Sequence, residues 1–131
     1  MQSFLRQGAM QYLGANVIRL EPGYCDIEVA YKPELSQQNG LFHAGVTSAI
    51  ADSSGGYAAY TLFAQPADVL TVEFKINLLE PAKGERLVAR GSVLRQGKKL
   101  TTCIVEVFAV GSCGTILCAI MTQTVVRVTV P

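Results

Sequence analysis

Apolar positions along the chain change their spacing repeatedly, and each change marks an element. Residues 2 to 13 place Phe4, Leu5, Ala9, Tyr12 and Leu13 at helical intervals, with Gly14 as a stop. From Val17 the pattern turns to strands. Val17, Ile18 and Leu20 belong to one; Cys25, Ile27, Val29 and Tyr31, spaced by two, belong to the next, across the turn Glu21-Pro22-Gly23. Pro33 closes this hairpin, and Ser36 to Gly40 (SQQNG) reads as a polar loop. A long helix is expected from Phe42 or His43 to about Phe63, with Pro66 in the loop beyond it.

After Asp68 the chain reads as strands to its end. Val69 to Leu79 alternates, which puts Val72, Phe74 and Ile76 on one face and Thr71, Glu73, Lys75 and Asn77 on the other. Glu80 to Gly84 is a turn, Arg86 to Leu94 a strand, and Arg95 to Lys98 a hairpin turn. Two strands rich in Val, Ile and Thr, Leu100 to Val110 and Thr115 to Val130, flank Ser112-Cys113-Gly114. Strands joined in series by hairpins imply an antiparallel sheet. The expected fold class is therefore α+β, an antiparallel sheet wrapped around one long central helix, as a single domain over residues 1–131.

The central helix is unusual in its small residues. Ala44, Gly45, Ala49, Ala51, Ser53, Ser54, Ala58 and Ala59 make it thin nearly all round, which suits close packing against a sheet. Gly55-Gly56 costs it roughly 1 kcal/mol each relative to alanine, so another interaction must offset that.

Charge and composition narrow the function. Eleven basic and ten acidic side chains leave no excess for a phosphate-tracking face, so nucleic acid is not expected as a partner. The opening MQSFLRQGAMQYLGA lacks the charged and apolar blocks of a leader, which points to a mature cytoplasmic protein. Residues 41 to 63 are long enough to cross a bilayer, but Asp52, His43 and a run of Ser, Thr and Gly point to a buried helix and no membrane. Cys25, Cys103, Cys113 and Cys118 match no zinc spacing and lie far along the chain from His43, the one histidine. They are expected to be four buried free thiols, with no metal.

Between Glu34 and Asp68 the only acid or base besides His43 is Asp52, set among small and apolar neighbours. A buried carboxylate without a partner is costly. Asp52 is then either a structural group bonded to hydroxyls such as Ser48 or Ser53, or a charge that does chemistry. The helix start His43-Ala44-Gly45 likewise has two readings. It is an ordinary helix terminus, or its free N–H groups hold a carbonyl oxygen that becomes negative during acyl transfer. Nine residues along one helix separate His43 from Asp52 by ~13 Å, too far to meet within the chain. If both serve one substrate, they come from different subunits of a two-fold dimer with two interface sites.

Gln37-Gln38-Asn39-Gly40-Leu41-Phe42-His43-Ala44-Gly45, Ala51-Asp52-Ser53, Thr71-Val72-Glu73-Phe74 and Leu79-Glu80-Pro81-Ala82 resemble hotdog-fold acyl-CoA thioesterases of the phenylacetate-pathway (PaaI-like) group, over roughly residues 10 to 128. The resemblance implies that Asp52 activates water or attacks the thioester carbonyl. It implies that the N–H of Ala44, where the family has the first glycine of His-Gly-Gly, polarises that carbonyl. Gln37 stands where the family has an orienting Asn, Thr71 where a Ser or Thr binds the attacking water, and His43 where a loop histidine orients. Gly45 and Asn39 fall in the same substrate-binding stretch. Tyr57, with Tyr60 and Phe63, either shapes the acyl slot or packs the core. Lys75, Lys83, Arg95, Lys98 and Lys99 are candidates for the coenzyme A phosphates, or solvated charges. The implied substrate is an acyl-CoA, with no cofactor beyond that thioester, and the implied assembly is a homotetramer, a dimer of dimers. Two rivals share the fold: a hydratase or dehydratase of enoyl and hydroxyacyl thioesters, and a non-catalytic acyl-CoA-binding domain.

Overall fold

The computed structural model describes residues 2–129. The expected N-terminal helix is two short ones, α1 (Gln2–Leu5) and α2 (Gly8–Leu13), and Gly14 ends the second in the left-handed region at φ 74°. The break falls at Gln7, whose backbone is extended. Its side chain donates to the Tyr57 hydroxyl at 3.2 Å and accepts from Ser53 Oγ at 3.2 Å. Helical spacing carries no record of such a break, because distant hydrogen bonds hold it.

Strands β1 (Asn16–Glu21) and β2 (Tyr24–Ala30) form the expected hairpin. A 3-10 turn at Pro33–Leu35 leads into the central helix α3 (Ala44–Tyr60). Four strands follow: β3 (Asp68–Leu78), β4 (Arg86–Gln96), β5 (Leu100–Gly111) and β6 (Gly114–Val128). Val130, the expected end of the last strand, lies outside the described residues. All six strands join one antiparallel sheet in the order β1-β2-β4-β5-β6-β3. The fold is α+β, with a long helix packed on an antiparallel sheet.

Helix α3 buries both apolar and polar residues, including Ile50, Ala51, Thr47 and Ser54. Its thinness is used for close approach. A Cβ on Gly91 of β4 would come within 2.6 Å of the Ser54 backbone oxygen, and Ser54 Oγ donates to the carbonyl of Cys25 at 2.6 Å. Ile27, Val29, Leu87, Val105, Val107 and Met121 supply the sheet side of this core, all fully buried.

β3 departs from its expected faces. Its ladder with β6 pairs Thr71 with Val125 and then Glu73 with Thr124, so a bulge at Val72 shifts the phase. Cross-strand partners share a face. Thr71 therefore lies on the helix side beside buried Val125, as do Phe74 and Ile76 beyond the bulge, whereas Glu73, Lys75 and Asn77 lie on the other side. The alternating letters of residues 71 to 77 cannot reveal an extra residue in the ladder. β3 is also a sheet edge, and Leu70, Val72, Phe74 and Leu78 are 46–58% exposed on it.

Three cysteines are buried free thiols. Burial pushes Cys25 up to about 12 and Cys103 up to about 11, and raises Cys118, so none is a thiolate nucleophile. Cys113 corrects the expectation: it sits exposed in the β5–β6 turn, where a hairpin tip has no core to enter. Among the described residues no helix is long and apolar enough to cross a membrane, and no group of three metal-ligating side chains gathers.

Candidate active site

Two clefts open along α3, one at its N-terminus and one at its middle. The tip is built locally. His43 is the residue before the helix, extended at φ −63° and ψ 138°, and its Nδ1 accepts the Gly45 N–H at 2.8 Å. A Cβ at Gly45 would lie 2.9 Å from that ring nitrogen, so glycine lets the imidazole fold over the helix start. An accepting Nδ1 leaves the neutral ring's proton on Nε2, which makes His43 a donor toward the cleft. With the Gly45 amide occupied, the Ala44 N–H is the first-turn donor that has no partner among the described residues.

Gln37, His43 and Ala44 line this cleft of about 470 Å³ together with Thr47, Leu78 and Cys118. Gln37 Oε1 accepts the N–H groups of Asn39 and Leu41, which shapes its own loop. Asn39 is exposed and lies outside the cleft wall.

The middle of α3 is built from distant parts of the chain. Asp52, half-buried, presents Oδ1 to the Thr71 hydroxyl at 2.6 Å and to Gln123 Nε2 at 2.7 Å. The same Nε2 donates to the Asp52 carbonyl at 2.9 Å. Oδ2 takes no hydrogen bond among the described residues, and the side chain lines a cleft of about 440 Å³. The bulge in β3 is what points Thr71 here. Ser48 and Ser53 do not bond the carboxylate: Ser48 Oγ donates to the Ala44 carbonyl and Ser53 Oγ to Gln7.

Gln123 is a site residue that sequence reasoning missed. It is 1% exposed in β6, and its Oε1 has no hydrogen-bond partner, so the amide is spent on Asp52 from one side only. A Cβ on Gly55 would lie 2.1 Å from that Oε1, which accounts for one glycine of the Gly55-Gly56 pair. A glutamine inside a Thr- and Val-rich strand was the only available signal. Ser3, Gln7 and Tyr57 also line the Asp52 cleft, with the Tyr57 hydroxyl 3.0 Å from Ser3 Oγ.

The cationic candidates are dispersed. Lys75 lies beside Thr122 and Thr124 on the sheet face away from the helix. Lys83 is exposed in the β3–β4 connection, directly after Pro81 and Ala82 of the helix-tip cleft. Arg95 and Lys98 are exposed at the β4–β5 hairpin, where Gln96 reaches the Leu62 carbonyl beyond the far end of α3. Lys99 is exposed next to Lys98, and none of the five lines either α3 cleft.

Such an arrangement can do acyl-transfer chemistry. An unpartnered amide at a helix tip stabilises developing negative charge, and a carboxylate fixed through one oxygen keeps the other for a proton or a carbonyl carbon. Within one chain the two line different clefts.

Residues 39–112 match the model of the thioesterase superfamily. A Saccharolobus solfataricus protein named "Putative esterase" is 37% identical over 97 residues, 74% of this chain and 67% of that protein. The chain spans about two-thirds of the length of the curated relatives it matches. Among solved structures, a thioesterase family protein from Silicibacter pomeroyi superposes with a TM-score of 0.96 at 40% identity, over 98% of this chain and 95% of that one. The Escherichia coli PaaI protein from the phenylacetic acid degradation operon shares the fold, with a TM-score of 0.85 at 18% identity over 97% and 88%. With its hotdog arrangement of sheet and central helix, the chain belongs to the thioesterase superfamily and is a thioester hydrolase.

Proposed function

We propose that the substrate is an acyl-CoA, hydrolysed to a free acid and coenzyme A at a site shared by two protomers. Asp52 of one protomer serves as base or nucleophile, and the Ala44 N–H of its partner holds the thioester oxygen as it becomes negative. Thr71 fixes the carboxylate and offers its hydroxyl oxygen to the attacking water. Gln37 and His43 line the oxyanion side, where the Nε2–H of His43 adds a second donor. Gly45 holds the His43 ring in that pose, and Lys83 is the best placed of the cations to meet a phosphate at the mouth.

The observation that carries this reading is the state of Asp52: one oxygen doubly bonded by Thr71 and Gln123, the other free in a cleft. The exposed apolar edge of β3 supports the two-fold assembly, since an uncovered strand of this kind is satisfied by pairing with its own copy. The hydratase rival needs a histidine as base, and the Nδ1 of His43 is already occupied by Gly45.

Hydrolysis of a panel of aliphatic and aromatic acyl-CoAs by wild type and Asp52→Asn tests the proposal. Turnover by wild type, with kcat lowered about 10³-fold or more in the folded variant, is expected. An equal rate in the variant would remove Asp52 from the mechanism. Turnover of 2-enoyl-CoA instead would favour the hydratase, and tight binding with no turnover the sensor.

A further inference from the structure

Of the two adjacent glycines in α3, only Gly55 has an internal reason to be glycine, its contact with Gln123. A Cβ at Gly56 would meet nothing within 4 Å. Its φ is not positive, so its conformation does not call for glycine either. A helix interior disfavours glycine more than any residue but proline. Gly56 does occupy a particular place. It lines the cleft that holds Asp52, one turn further along the same helix face, ~6 Å on. Tyr57 and Tyr60 stand beside it, and Ser3 and Gln7 approach from the N-terminal helices. The Tyr57 hydroxyl is held by both Ser3 and Gln7, so that wall is fixed. A methyl group at position 56 would enter space that the chain walls around and leaves empty.

We propose that Gly56 is the floor of the slot for the acyl group, and that its missing side chain sets how much bulk is admitted close to the thioester carbonyl. The inference rests on the hydrolase reading above, in which the acyl carbon is attacked at Asp52. From that carbon, an acyl group lying along α3 crosses Gly56 first. Branches or rings within ~6 Å of the carbonyl therefore sit on bare backbone, while a two-carbon acyl group barely reaches it. Gly56 is thus a specificity-determining residue, kept against the preference of its own helix because substrate needs the volume.

Gly56→Ala tests this, because stability and specificity should move in opposite senses. Its thermal midpoint should rise by about 2–4 °C with unchanged oligomeric mass, as alanine is the better helix former. The ratio of kcat/KM for cyclohexanecarbonyl-CoA to that for acetyl-CoA should fall roughly tenfold. An unchanged ratio in the folded variant overturns the proposal. So does a lowered midpoint or a smaller oligomer, which would mean that another protein surface, not substrate, packs on Gly56. Absence of wild-type turnover on every thioester would sink the hydrolase reading itself, and this proposal with it.

Discussion

The tip of α3 and its middle hold their polar groups by opposite means. At the tip the side-chain bonds are local: His43 bonds Gly45 two residues on, and Gln37 bonds Asn39 and Leu41 in its own loop, while a backbone bond from Phe42 to the Ala82 carbonyl ties the approach to the sheet. At the middle, Asp52 is held by Thr71, 19 residues away, and by Gln123, 71 residues away. The His43 cap itself can form as soon as α3 does. The carboxylate is aimed only once β3 and β6 have paired, with the bulge at Val72 setting the phase. An oxyanion donor needs only a helix end, whereas a carboxylate free at one oxygen needs the whole sheet to restrain the other.

The largest effect expected from breaking the tip alone comes from Ala44→Pro. Proline is tolerated at the first helical position, and the extended backbone of His43 already suits a residue before proline. The change removes the amide N–H and nothing that α3 uses. Steady-state kinetics should show kcat reduced about 10²- to 10³-fold, with the circular dichroism spectrum unchanged. Breaking the middle more gently, Gln123→Leu deletes the donor to Asp52 together with an unpartnered buried oxygen. A loss of about tenfold in kcat with little change in KM is expected, and thermal unfolding within about 1 kcal/mol of wild type. A large KM change instead would place Gln123 in substrate binding.

The smallest effect comes from Asp26 in β2, a control acid without Asp52's partners. It is 5% exposed, its Oδ1 is unpartnered, and Arg90 lies 3.7 Å from Oδ2. Burial raises its pKa, against the lowering by Arg90 and Arg19 and with a further rise from Glu21. A carboxyl whose pKa is raised by folding weakens the fold while charged, and that cost disappears as pH falls through its folded pKa. Asp26→Asn should therefore raise stability at pH 7 by a few tenths of a kcal/mol, with the gain shrinking in acid. Urea titrations at both pH values would check the sign.

The same contrast explains what could be read from the letters. Apolar spacing bounded by turn residues marked the β1–β2 hairpin and the later strands, with period-two alternation in β2, because burial on one sheet face is written residue by residue. The helix start was legible at His43-Ala44-Gly45 because capping is local. Asp52 stood out as a lone acid among small residues, but its partners did not. Gln123 hid in an ordinary-looking strand, and Thr71 was placed on the wrong face by a bulge that leaves no mark in alternation. The break at Gln7 was invisible for the same reason, since hydrogen bonds to Ser53 and Tyr57 hold it.

Mixing two inactive variants tests the shared site most directly. Asp52→Asn and Ala44→Pro chains, unfolded together at equal amounts and refolded, give dimers of which about half pair one of each. Each such dimer regains one of its two sites, so the mixture should recover about one quarter of wild-type activity. Recovery no greater than the sum of the separate variants would mean that carboxylate and amide act within one chain, and would contradict the account.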